Sequence, residues 1–168
     1  MSHQLSKNFS IEEFTHSQTA ARKGIDNSIP IGTMVYRNLS RLCRNLLQPL
    51  RDQLGPLTVS SGYRSPALNK AIGGSNKSQH TQGLAADLLS SDLTPSQLAV
   101  QIAQHGGFDQ LILEYGEWVH VSLPAEGEVA RGQILTAVRV MRPMRKNVTR
   151  YVPGLHSQLK AQEIAGFA

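Results

Sequence analysis

The chain has 168 residues, 40% of them hydrophobic and 17% charged, which is enough to bury a core of its own and argues against extended disorder. A single cysteine, Cys43, excludes an internal disulfide and a Cys-rich zinc knuckle, so any bound metal must rely on His and carboxylates. The formal charge of +5 favours anionic partners. Nucleic acid is not among the expected ones, because aromatic residues are few and not interleaved with the basic ones.

Ser10-Ile11-Glu12-Glu13 is a capping box and predicts a short helix. A loop follows with Gly24, Asn27 and Pro30. From 33 to 54, Val35, Leu39, Leu42, Leu46, Leu50 and Leu54 recur at intervals of three or four, which predicts an amphipathic helix closed by Gly55-Pro56. Cys43 falls on its apolar side and reads as a packed small hydrophobe. Residues 57–61 read as a strand. The polar stretch 62–82 holds one helical turn at Pro66–Ile72 and is long enough to suggest a functional loop. Leu84–Leu89 predicts a buried strand. Thr94-Pro95-Ser96-Gln97 is a second capping box, opening a helix that ends at Gly106-Gly107. Gln110–Tyr115 and Trp118–Leu123 form a hairpin around Gly116, Ile134–Val140 one more strand, and the tail ends in a helix. From Arg131 onward there are seven Lys or Arg residues against one acid, Glu163. The expected fold is α+β, a small antiparallel sheet with helices packed around it. One domain is expected over 1–168, with a basic C-terminal extension from 131.

Three residues invite a chemical reading. His80 and Asp87 are separated by small residues that let backbone close around an ion. His120 lies in Trp118-Val119-His120-Val121-Ser122, where alternation puts Trp118, His120 and Ser122 on one face. Two imidazoles and a carboxylate suit catalytic zinc, since three protein ligands leave the fourth position to water. Taken singly, each residue also has an ordinary reading. His80 fits a polar loop, Asp87 a cap, and His120 a half-buried sheet position. His3, His16, His105 and His156 match no motif and read as surface residues.

Ser78-Gln79-His80-Thr81-Gln82-Gly83-Leu84-Ala85-Ala86-Asp87 fits S-x-H-x-x-G-x-A-x-D and is followed by Trp118-Val119-His120. This pairing resembles the zinc D-Ala-D-Ala carboxypeptidases and dipeptidases and the phage L-alanyl-D-glutamate endopeptidases, whose zinc fold is shared by hedgehog signalling domains. Ser61-Gly62-Tyr63-Arg64-Ser65-Pro66 resembles the family's S-G-Y-R-[ST]-P segment, and Asn69 and Gly73-Gly74 also fit. Phe9–Phe14 is similar to the start of compact phage and prophage members. The resemblance runs over about residues 9–123.

It implies one Zn2+ per chain held by His80, Asp87 and His120, with Arg64 on the substrate or oxyanion and Ser78 and Asn69 shaping the pocket. For the general base it offers two positions. Glu117 lies three before the last ligand, as in the dipeptidases. Glu114 lies six before it, as in the hedgehog branch. Glu117 is the favoured one. Tyr115 stands where the carboxypeptidases place a His. The implied substrate is the stem peptide of peptidoglycan. Separately, the chain is expected to be a monomer. A non-catalytic zinc-containing phage structural or wall-binding domain is the alternative. No apolar run has the length of a membrane span, and no signal peptide is visible at the N-terminus. The expected life history is synthesis in the cytoplasm, followed by action on the wall after phage-type release, as an endolysin, or as a virion component. The basic tail could hold the protein on an anionic envelope surface.

Overall fold

The structure, a computed structural model, describes residues 3–141, 144 and 146–166. Two short strands, β1 (Gln4–Ser6) and β2 (Phe9–Ser10), form a small antiparallel ribbon. It leads into α1 (Ile11–Thr15), where the capping box is formed and Glu13 accepts the Ser10 N–H at 2.7 Å. The expected loop after it contains a further helix, α2 (Gln18–Lys23). Ser17 caps that helix and Gly24 ends it in the left-handed conformation. Its Gln-Thr-Ala-Ala-Arg-Lys sequence has no apolar stripe, so periodicity gives no signal there.

The long amphipathic helix is present as α3 (Met34–Leu42) and α4 (Gln48–Leu54), joined without a break by a wider π-helical turn, Cys43–Leu47. The wide turn brings Leu42, Cys43, Leu46, Leu47 and Leu50 all into the core, fully buried. Burial holds the Cys43 thiol far above its ordinary pKa, so it packs rather than reacts.

Six strands make the main sheet: β3 (Leu57–Ser61), β4 (Ala85–Ser90), β5 (Gln110–Glu114), β6 (Trp118–Ser122), β7 (Gln133–Val140) and β8 (Val148–Pro153). Their order is β3-β4-β6-β5-β7-β8. Every neighbouring pair is antiparallel except β5 and β7, which run parallel because β6 intervenes in the chain between them. β8 has no counterpart in the sequence reading. Its Val-Thr-Arg-Tyr-Val-Pro sequence is short, basic and mostly exposed, with only Val152 buried.

α5 (Pro66–Ala71) precedes the site loop, and α6 (Pro95–His105) carries the second capping box. One sheet face, with Ala86, Leu88, Leu111, Leu113, Val119 and Val121, packs on the apolar sides of α3, α4 and α6. Each fully buried leucine or valine among them stabilises by about 1.5–3 kcal/mol. α7 (Gln158–Gly166) covers the far end of the same face with a smaller cluster, Val138, Val152, Ala161 and Ala165. Of the basic residues of the tail, Arg142 and Arg145 lie outside the described residues. Among the described residues, no helix is long and apolar enough to cross a membrane.

Candidate active site

The helices leave the other sheet face open, and that face carries the polar row. Asp87 on β4 is opposite His120 on β6, and His120 is opposite Ile112 on β5. His80 enters from above, on a single 3₁₀ turn, Gln79–Gln82. That turn is anchored by close backbone packing. Gly83 ends it at φ +70°, where a Cβ would sit 2.6 Å from the Val35 carbonyl oxygen. A Cβ on Gly62 would likewise lie 2.6 Å from Phe14 Cα, so only glycine admits this crossing of chains.

The three side chains meet. His80 Nε2 lies 3.2 Å and His120 Nδ1 3.1 Å from Asp87 Oδ1, and the two nitrogens are 3.2 Å apart. All three residues are buried, and among the described residues this is the one His/Cys/Asp/Glu group close enough to hold a metal ion. The donor set fits zinc, with two imidazole nitrogens and one carboxylate oxygen turned to a single point. The surroundings fix the ligand atoms. His80 Nδ1 lies 2.6 Å from the Gly62 carbonyl, which can only accept, so the proton sits on Nδ1 and the Nε2 lone pair faces the cluster. Asp87 Oδ2 accepts from Arg64 at 3.0 Å, which leaves Oδ1 to the imidazoles. Burial alone would raise the Asp87 pKa, but the two imidazoles outweigh it and hold the carboxyl well below its usual range.

The cluster forms part of the wall of an open cleft of about 860 Å³. Arg64, Ser78 and Glu114 line it. Arg64 is committed on one side, donating to Ser61 Oγ at 3.1 Å as well as to Asp87. Asn69 is not on the cleft. It is buried, donates to the Ser75 carbonyl at 2.9 Å and presses on Gly74, so it shapes the loop from behind.

The two glutamates separate clearly. β5 and β6 are joined by a tight turn with Tyr115 and Gly116 both at positive φ. Glu114 shares its face with Ile112 and the metal row. Burial pushes its pKa up to about 7; the nearby Asp87 charge adds to this while His120 and Arg64 oppose it. Glu117 has the opposite parity to Trp118 and His120. It lies outside the cleft lining, is about half exposed, and pairs with Arg139 at 3.3 Å. Tyr115 shares a hydrogen bond with Thr149 Oγ1 at 2.7 Å, and the Arg139 guanidinium lies 4.0 Å from its ring centre.

Sequence reasoning did not single out Asp109. It is buried, takes three side-chain hydrogen bonds from Arg131 (2.6 to 3.1 Å), and accepts from Gln79, next to His80, at 2.9 Å. It thus ties the metal loop to the start of the C-terminal extension. Its only sequence signal was a carboxylate at a strand entrance after Gly106-Gly107.

A Streptomyces albus G protein named zinc D-Ala-D-Ala carboxypeptidase is 38% identical over 68 residues, 39% of this chain and 26% of the relative. The chain thus spans about a quarter of that relative's length. The family model described as Peptidase M15 matches residues 7–122, a span that includes α1, β3, the metal loop and all three converging ligands. With a donor set suited to zinc on the matched segment, the chain belongs to the peptidase M15 family.

Proposed function

We propose that this protein is a zinc peptidase that hydrolyses peptide bonds in the stem peptides of bacterial peptidoglycan. The observation that carries the peptidase chemistry is the convergence of His80 Nε2, Asp87 Oδ1 and His120 Nδ1 in a cleft that also exposes Glu114. Zinc held by these atoms would polarise the scissile carbonyl and acidify a water molecule. Glu114 acts as the base, taking a proton from the attacking water and passing it to the departing amine. Burial of the Glu114 carboxyl favours its protonated form, which helps it hold the proton before passing it on. Arg64 orients Asp87 through Oδ2 and, as part of the cleft wall, supplies a cation for the substrate or the oxyanion. Ser78 contributes to the cleft wall.

The name of the Streptomyces relative supports a wall-peptide substrate, and the positive charge of this chain favours an anionic polymer. One zinc per monomer, and action on the wall as an endolysin or virion-borne enzyme, complete the reading. Mass spectrometry of muropeptides after digestion tests it. Loss of a terminal D-Ala identifies a carboxypeptidase, and separation of L-Ala from D-Glu or opening of a cross-link an endopeptidase. Unchanged muropeptides with a zinc-loaded protein would instead favour a non-catalytic wall-binding domain.

A further inference from the structure

The matched family segment ends at residue 122, but the cleft does not. β7 and β8 extend the sheet beyond β5, and their register carries the cleft face outward. Ile112 is opposite Leu135, and Leu135 opposite Pro153. In the next row Glu114 is opposite Ala137, and Ala137 opposite Tyr151. Leu135 and Tyr151 therefore share the face of Glu114 and His120, and both line the cleft. Ala137 is fully buried between the longer Glu114 and Tyr151, as expected if these close over a small residue. Tyr151 is 54% exposed, and among the described residues its hydroxyl has no hydrogen-bond partner. Partial burial of the ring and the Glu114 charge push its pKa up to about 12, so it remains a donor.

Resting on the peptidoglycan reading, we propose that Leu135 and Tyr151 form a substrate subsite beyond the family core, taking an aliphatic side chain whose far end carries a carboxylate or amide oxygen, the chemistry of a diaminopimelate residue in a stem peptide. Leu135 offers apolar surface to the methylenes, and the phenol donates to the terminal oxygen. The placement fits a residue removed from the scissile bond. β7 and β8 are two and three strands from His120, about 10 and 14 Å at 4.8 Å per spacing. An extended substrate covers that distance in roughly three to four residues at about 3.3 Å each, and fewer once the tyrosine leans inward.

The test uses the zinc-loaded full chain and two synthetic stem peptides, one with diaminopimelate and one with alanine at that position. The wild type is expected to prefer the diaminopimelate peptide by about tenfold or more in kcat/KM. Tyr151→Ala should bring the ratio close to one, and Tyr151→Phe, which keeps the ring and removes the donor, should remove part of it. A preference that survives in both variants, or its absence in the wild type, overturns the subsite. Calorimetric binding of the same peptides separates this from the peptidase reading. If neither peptide is cut but binding keeps a preference that Tyr151→Ala abolishes, the subsite stands and the peptidase assignment falls. If neither cutting nor binding discriminates, the subsite falls too.

Discussion

Glu114 and Glu117 are three positions apart, yet strand alternation gives them different surroundings. The alternation that puts Trp118 and His120 on one face already turns Glu117 away from it, and this was legible in the sequence. The match of Glu117-Trp118-Val119-His120 to a family segment favours Glu117, but motif spacing does not encode the direction of a side chain at a turn, and Glu117 lies outside the cleft lining. With Glu114 as the base, Glu114→Gln should keep zinc and lower turnover on the order of 100-fold or more. Glu117→Gln removes only an exposed ion pair, worth about 0.2–1 kcal/mol, and should leave turnover within a factor of two or so. Paired kinetics and elemental analysis of both variants check this.

Asp109 makes a different prediction at the same scale. Arg131 and Gln79 lower its pKa to about 2 from an ordinary 3.8. A lowered carboxyl contributes stability that is fully present above its unfolded value and lost as pH falls through its folded value. Asp109→Asn should therefore be less stable than wild type at neutral pH, with the gap narrowing between about pH 4 and pH 2. Urea unfolding at several pH values reads the difference.

At the scale of elements, chain-local signals performed well. Both capping boxes, the Leu39–Leu50 stripe, Gly55-Pro56 and the hairpin around Gly116 encode their structure within a few residues, and those elements stand where the sequence put them. What stayed hidden depends on distant partners. β8 is an edge strand that exists because β7 pairs with it and α7 covers Val152, and neither fact is visible in Val148–Pro153 alone. The parallel pairing of β5 with β7 is hidden for the same reason. The role of Asp109 needs Gln79 and Arg131, which stand 30 and 22 residues away. His80, Asp87 and His120 were legible because their motif fixes residue types and intervals together. Their actual meeting rests on Asp87 lying opposite His120 in the sheet, and on Gly62 and Gly83 allowing the His80 turn to close down.

For the whole molecule, the ligands bring together β4, β6 and a loop pinned against α3, so a bound ion would cross-link the sheet to its surroundings. Zinc at a hundredfold excess over its Kd would stabilise the fold by about 2.7 kcal/mol. For a chain of this size that corresponds to a fall in Tm of roughly 5–10 °C on chelation. Calorimetry with and without a chelator measures it, and His80→Ala should abolish the difference. The C-terminal extension continues the sheet and supplies part of the cleft wall through Arg131, Gln133, Leu135 and Tyr151, with the Arg131 charge already paired to Asp109.

The most direct measurement is the release of new amines from purified peptidoglycan by the zinc-loaded protein, run beside the chelated protein and zinc-loaded Glu114→Gln. The expected result is steady amine release by the wild type and almost none by the other two. Full release by Glu114→Gln, or none by a wild type that demonstrably holds zinc, would contradict a peptidoglycan peptidase working through this site.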